Sequence, residues 1–306
     1  MENNTHSYIQ DERNKNIKIY INGEIYNRST AKISVFDSGF LLGDGVWEGI
    51  RLHNGKLCFL NEHLTRLYDG AKQIHIDIPY SKEELTNIID KVIKENQMSS
   101  GVHMRIIISR GEKFTPYQHP SANVGPISLV IIPEYKIANE KINTNGIKLA
   151  SVDTIRGTGS NQDPKINSLS KFNCIAACLE AIDKNVDEGL MLDIDGYVST
   201  CNSTNFFIVK NDEVITSKGN YCLNGVTRMK IIEICKEKNI NLVEKNFRLE
   251  NVYEADEAFV TGTFAGVIPV IDVDNHLIGS GTRGPLTKKL FNLYKNKITK
   301  LYSNNE

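Results

Sequence analysis

The sequence predicts a two-domain protein of the α/β (α+β) class: a small N-terminal α/β domain, then a larger domain built round a closed or barrel-like sheet. Three observations carry this. The chain has 306 residues, enough for two cores. Residues 17–133 mix strand patterns with two amphipathic helices. After the polar stretch "PEYKIANEKINTNG", strand patterns dominate, and few of them alternate cleanly with helices, which argues against a doubly wound sheet. The expected organisation is a flexible N-terminus over 1–16, a small α/β domain over 17–133, a linker over 134–145 and a large domain over 146–306.

Each element has its own signal. "IKIYINGEIY" alternates like a strand pair about an Asn22-Gly23 turn. In "LNEHLTRLYDGAKQI", Leu64, Leu67, Tyr68, Ala71 and Ile74 recur at helical spacing, with Asn61 as the expected N-cap. "SKEELTNIIDKVIKEN" opens on Ser81 and Glu84, a capping-box pair. "VHMRIIIS" and "PISLVII" read as strands. In the second half "IKLASV", "EGLMLD", "NFFIV", "EVIT", "NLVEKNF", "EAFVTG" and "VIPVI" read as strands, with helices expected near 168–184, 227–238 and 285–296.

Composition narrows the function. A net charge of −1 leaves no basic stripe to neutralise phosphates, so no nucleic acid is expected as a partner. The 6 cysteines form no C-x-x-C pair, and the 7 histidines form no H-x-x-x-H pair, so no metal site is expected. The thiols suggest a reducing compartment. The N-terminal stretch is polar and no apolar run could span a bilayer, so the expectation is a cytoplasmic chain with no membrane partner.

Two stretches suit an anion. In "LNGVTRMKIIEIC", a turn at Asn224-Gly225 precedes an amphipathic helix. The amides of Gly225, Val226 and Thr227 would point outward there and could cradle a phosphate monoester, or they could simply start a helix. "VTGTFAGVIP" offers Thr263 and Phe264 amides to a second anion, or is a plain hairpin. Arg66 lies off the apolar stripe of its helix and is either a solvated charge or a phosphate ligand. In "GDGVWEGIRLHNG", glycines permit close approach of a flat group beside Trp47 and Arg51.

Taken in order, these stretches resemble the class IV, fold-type IV pyridoxal-phosphate aminotransferases. The resemblance runs from about residue 18 to 296, through "INGEIY", "FDSGFLLGDGVWEGIRLHNGKLCFLNEHLTRL", "ISRG", "EGLMLDIDGYVS", "STNFFIV", "LNGVTRMKI", "EADEAFVTGTFAGVIPV" and "GPLTKKL". The branched-chain-like branch looks nearest, through "GDGVWEGIR". The resemblance implies a pseudo-barrel in the large domain, pyridoxal 5'-phosphate as cofactor, an amino acid and a 2-oxo acid as small-molecule substrates, and a homodimer. It matches Arg66, Gly225, Val226 and Thr227 to phosphate-binding positions. Thr263 and Phe264 match a turn that supplies amides to phosphate and substrate carboxylate. Asn205 falls beside the cofactor, and Phe40, Trp47, Arg51, Arg105 and Arg110 fall in stretches lining the substrate pocket.

Two positions depart from the family pattern. Asn167 stands where the family has its Schiff-base lysine, and an asparagine amide cannot form one. Thr200 stands where the family has a glutamate that keeps the ring nitrogen protonated. In "QDPKINSLSK" two lysines flank Asn167. Lys165 would share its side of a strand, and Lys171 would sit a helical turn further on. Lys171 is the expected catalytic lysine. Three readings stay open: an aminotransferase with an altered site, a lyase on the same scaffold resembling aminodeoxychorismate lyase, and a silent homologue that binds a phosphorylated ligand.

Overall fold

The structure, a computed structural model, describes residues 8–139 and 141–303. It divides into two compact units, one of residues 9–137 with 166–171, the other of residues 138–165 and 172–303 together with Tyr8.

The strands reached first along the chain are β1 (Tyr8–Ile9), β2 (Lys18–Ile21), β3 (Glu24–Asn27), β4 (Gly45–His53), β5 (Lys56–Leu57), β6 (Val102–Ser109) and β7 (Ser128–Tyr135). With them come helices α1 (Ser38–Leu42), α2 (Leu60–Gln73) and α3 (Lys82–Glu95). Six strands form one antiparallel sheet in the order β3-β2-β7-β6-β4-β5. One face carries Val46, Ile50 and Leu52 from β4 with Met104, Ile106 and Ile108 from β6, and packs on Leu64 and Leu67 of α2 and Leu85 and Ile89 of α3. The period of two in the strands and 3.6 in the helices brings these residues to one core. Trp47, Gly49 and Arg51 alternate to the other face of β4, beside His103 and Arg105 of β6.

The Asn22-Gly23 turn and the Ser81–Glu84 capping box form as expected; Ser81 Oγ accepts from Glu84 N at 3.1 Å and Glu84 Oε2 from Ser81 N at 2.7 Å. Asn61 is not the cap of α2. The helix enters from Phe59, which is left-handed with φ 53°, and Asn61 lies inside the first turn. Residues 1–7 of the expected flexible N-terminus lie outside the described residues. Glu12–Asn16 instead form a 3-10 helix, because the Asn14 side chain exchanges two hydrogen bonds with the Tyr135 backbone at 2.8 Å.

Residues 166–171 belong to this unit and lie along β4, joined to it by an isolated antiparallel bridge between Ser168 and Val46. Trp47 N donates to Asn167 O at 3.0 Å and Leu169 N to Gly45 O at 2.9 Å. A Cβ on Gly45 would lie 2.3 Å from Ile108 O and 2.6 Å from Leu169 Cδ1. Gly45→Ala should therefore cost about 1–3 kcal/mol through forced displacement. An unchanged urea midpoint would mean that neither Ile108 O nor Leu169 stands that close to Gly45.

In the stretch expected as a linker lie β8 (Ile137–Ala138) and α4 (Ile142–Asn145); α4 belongs to the second unit, whose core includes Ile142. The second unit then holds β9 (Ile147–Ser151), β10 (Glu188–Leu192), β11 (Val198–Cys201), β12 (Asn205–Lys210), β13 (Glu213–Thr216), β14 (Leu242–Glu244), β15 (Glu257–Gly262), β16 (Gly266–Val273) and β17 (His276–Leu277). Its helices are α5 (Phe172–Asp183), α6 (Val226–Glu237), α7 (Leu249–Tyr253) and α8 (Pro285–Tyr302). The sheet order is β11-β10-β9-β16-β15-β12-β13-β14, with β17 beside β16. Three residues, 202–204, join β11 to β12. In a flat sheet those strands would stand five spacings apart, roughly 24 Å. Four Cα steps reach only about 14 Å. The sheet must therefore curl, which is the pseudo-barrel the sequence predicts.

Four cysteines, Cys58, Cys201, Cys222 and Cys235, are buried, and burial pushes the Cys58 and Cys235 thiols up to about 11. Cys174 and Cys178 are half-buried on α5 rather than core residues. Among the described residues no helix is long and apolar enough to cross a membrane.

Candidate active site

In the first unit the decisive side chains converge on Trp47. Asn167 is 5% exposed and grips the Trp47 peptide from both sides: its backbone O accepts from Trp47 N, and its Nδ2 donates to Trp47 O at 2.7 Å. A side-chain amide thus supplies the donor that an edge strand lacks at that carbonyl. The other end of the same amide is occupied by a lysine. Lys171 Nζ donates to Asn167 Oδ1 at 3.0 Å and lies 5.5 Å from the Trp47 ring centroid. Arg105 stacks over the same ring at 4.0 Å. Lys165 does not join them: its side chain is 50% exposed and pairs with Asp163 at 3.7 Å.

Arg66 is not a solvated surface charge. Its Nε and Nη2 donate to Glu48 Oε1 and Oε2 at 2.6 and 2.8 Å. His63 Nδ1 lies 2.6 Å from Glu48 Oε2. The Glu48 side chain is 0% exposed. Burial alone would raise its carboxyl, but the charge of Arg66 and the hydrogen bonds from His63 and Arg66 outweigh it and hold the group below the usual carboxylate range. Sequence reading passed over Glu48 and His63. The signal was a glutamate on the apolar face of a strand, between Val46 and Ile50.

The remaining candidates of this unit are spread. Arg51 Nη1 donates to Lys136 O at 2.5 Å. Arg110 is committed to Asp44 through Nε at 2.6 Å and Nη2 at 3.0 Å, and to the carbonyls of Ile74 and His75. Phe40 stands exposed on α1.

The second unit holds the anion cradle. Gly225 caps α6 with no side-chain hydrogen bond, so the amides that follow are left for another acceptor. A Cβ on Gly225 would lie 2.3 Å from Asn205 Oδ1. Asn205 pairs across the sheet with Thr261, whose buried hydroxyl has no hydrogen-bond partner among the described residues. Thr227 is buried, its hydroxyl 3.4 Å from that of Tyr294. An uncapped helix start beside a buried, unsatisfied hydroxyl fits a phosphate group. Thr263 and Phe264 lie in the turn between β15 and β16. Thr200 Oγ1 donates to Thr204 O at 2.7 Å and lies 3.5 Å from Asn205 Nδ2.

The profile of the amino-transferase class IV family matches residues 45–273. The chain belongs to the class IV aminotransferase family. It is 38% identical to the branched-chain-amino-acid aminotransferase-like protein 2 of Arabidopsis thaliana over 94% of its own length, but spans only about half (51%) of that relative. To the putative branched-chain-amino-acid aminotransferase of Methanocaldococcus jannaschii it is 36% identical, over 93% of this chain and 97% of the other. The solved branched-chain amino acid aminotransferase of Escherichia coli superposes with a TM-score of 0.88 at 27% identity, covering 95% of this chain and 97% of that one. Another solved branched-chain amino acid aminotransferase, with pyridoxamine 5'-phosphate, gives the same TM-score of 0.88 at 29% identity, over 94% and 97% of the two chains. The fold of this class IV chain is therefore fold-type IV.

Proposed function

We propose that the protein is a pyridoxal-phosphate-dependent aminotransferase that moves an amino group between an amino acid of branched-chain type and a 2-oxo acid, with Lys171 in the role the family gives to the residue at 167. The single observation that supports this most is the Lys171 amine held at 3.0 Å by Asn167 Oδ1. Bound pyridoxal phosphate would supply an aldehyde to take up amino groups and a ring to draw electrons from the substrate carbon. Arg66, the amides of Gly225, Val226 and Thr227, and the Thr263 turn would hold its phosphate; Asn167, Thr200 and Asn205 would lie beside it. Asn167 Oδ1 has no proton to give, so proton movement falls to Lys171 Nζ. Arg51 and Arg105 would receive a substrate carboxylate beside Trp47, with Arg110, Phe40 and Phe264 at the pocket's edges.

A homodimer belongs to the same proposal. Phe172, Ile175, Leu179 and Ile182 are all exposed, and their spacing puts them on one face of α5. Such a stripe suits an isologous contact with a second copy.

The lyase reading draws support from the resemblance, which sets Thr200, a hydroxyl and not a carboxylate, at the position of the family's glutamate. Incubation with pyridoxal phosphate, 2-oxoglutarate and a panel of amino acids separates the readings. Glutamate formation is expected. Pyruvate in its place would favour elimination, and no product with any donor would overturn the proposal. Arg66→Ala should weaken retention of pyridoxal phosphate by about 1.5–3 kcal/mol, the range for a hydrogen bond to a charged group; equal retention would remove Arg66 from the phosphate site.

A further inference from the structure

The Trp47 indole carries two cations. The guanidinium carbon of Arg105 lies 4.0 Å from its ring centroid, and Lys171 Nζ lies 5.5 Å from the same centroid. These two contacts cap the separation of the charges at roughly 9.5 Å, a Debye length at 0.1 M salt. Strand register makes the arrangement. Trp47 and Gly49 face the same side of β4, and Arg105 is the cross-strand partner of Gly49. A Cβ on Gly49 would lie 2.8 Å from His103 Nε2 and 3.5 Å from Trp47 Cζ3, so the missing side chain lets both rings close over that point. Lys171 comes to the indole from the segment that lies along β4, held by Asn167.

The groups around the amine differ in what they do to its proton. Asn167 Oδ1 accepts from Lys171 at 3.0 Å and binds an ammonium more tightly than an amine. The amide cannot turn away, because its Nδ2 donates to Trp47 O at 2.7 Å. The indole face also favours the cation. Arg105 opposes both, since a guanidinium stays charged at any working pH. Arg51 and His103 stand on the same side of the sheet, and Lys136 is close enough for the charges of Arg51 and Arg105 to act on it. The carboxylate nearest Arg105 in register is Glu134, the cross-strand partner of His103 rather than of Arg105. Glu134 serves several cations at once: its charge acts on Arg105 and Lys136, and Arg28 lies 3.9 Å from it. One carboxylate does not cancel Arg51, Arg105 and Lys136 together. Beside Ser170 stands Gly43, followed by Asp44, whose carboxylate is taken by Arg110 at 2.6 Å.

We propose that Arg105 acts through Lys171. Its charge, set across Trp47, lowers the proton affinity of the Lys171 amine, and a carboxylate laid on Arg105 cancels that effect and returns the proton to Lys171. A lysine beside a second cation is an activated nucleophile, because repulsion favours the neutral amine whose lone pair reacts. The second half rests on the aminotransferase reading above, which sets a substrate carboxylate at Arg105. Arrival of the substrate then changes Lys171 from an amine that readily loses its proton to one that holds it.

The test uses ligand-free protein and does not depend on the cofactor. Competitive labelling with acetic anhydride over a pH series, read on the Lys171 peptide, gives the midpoint at which that amine loses its proton. Arg105→Met keeps the stem over the indole and removes the charge. It should move the midpoint upward by about 0.3–1.3 on the pH scale, the range for a unit charge at that distance with effective dielectric constants of about 80 and 20. Arg105→Lys, which keeps the charge, should restore the parent's midpoint. An unmoved midpoint in Arg105→Met, or an equal movement in both variants, would overturn the proposal, as would a Lys171 that is not labelled at any pH. Saturating 4-methylvalerate, a branched carboxylate with no amine, should also move the midpoint upward in the parent and leave it unmoved in Arg105→Met. A parent midpoint that ignores 4-methylvalerate would overturn the second half and take the substrate carboxylate off Arg105, while the comparison of the arginine variants decides the first half by itself.

Discussion

Replacing Lys171 by methionine should cut amino transfer about a hundredfold to ten-thousandfold, the range for removing a positioned proton-transfer group, and should also abolish covalent capture of the cofactor. Methionine keeps the apolar stem and removes only the amine. Lys165→Met should leave both properties as they are, because the half-exposed Lys165 side chain pairs with Asp163. Steady-state rates with a fixed donor and spectra of the loaded variants read the two effects. Full activity in Lys171→Met would remove Lys171 from the chemistry and leave its 3.0 Å contact with Asn167 as a structural bond only.

Glu48→Ala should destabilise the fold by about 3–5 kcal/mol, the cost of removing one partner from a buried ion pair. The deletion leaves Arg66 and His63 facing an empty, dry position on the inner face of β4. Urea unfolding measures it. A loss below about 1 kcal/mol, typical of a surface pair, would mean that water reaches the cluster. pH gives an independent reading. The Glu48 carboxyl titrates lower in the folded chain than in the unfolded one, where the value is about 4.3. Its stabilisation is therefore complete above that value and is lost as pH falls through the lower folded one. The stability gap between the parent and Glu48→Gln should narrow over that window and hold steady from there up to neutral pH.

Much of the fold was legible because local chemistry and tertiary structure agree. Ser81 and Glu84 cap α3 whatever surrounds them, and Asn22-Gly23 supplies the positive φ angles that a tight turn requires. The cap of α2 was misread because Phe59, not a polar residue, adopts the left-handed conformation that starts the helix. No propensity announces that choice. α8 runs to Tyr302, past the expected end at 296, because no glycine or proline stops it.

The candidate site divides in the same way. Residues that act through the backbone, such as Gly225 at the start of α6, could be found from turn and helix signals. Residues that act through long-range pairing could not. Glu48 reads as one polar residue in an apolar strand until α2 brings Arg66 and His63 to it. Asn167 stood out in the sequence only through the family resemblance. Its use, clamping the Trp47 peptide while receiving Lys171, depends on residues 166–171 folding back along β4.

The central claim is that the reactive amine has moved from position 167 to position 171. Borohydride reduction of the protein loaded with pyridoxal phosphate, followed by peptide mapping, tests it most directly. The account predicts a pyridoxyl label on Lys171 and none on Lys165. A label on Lys165, or a loaded protein with no label on either lysine, would contradict it.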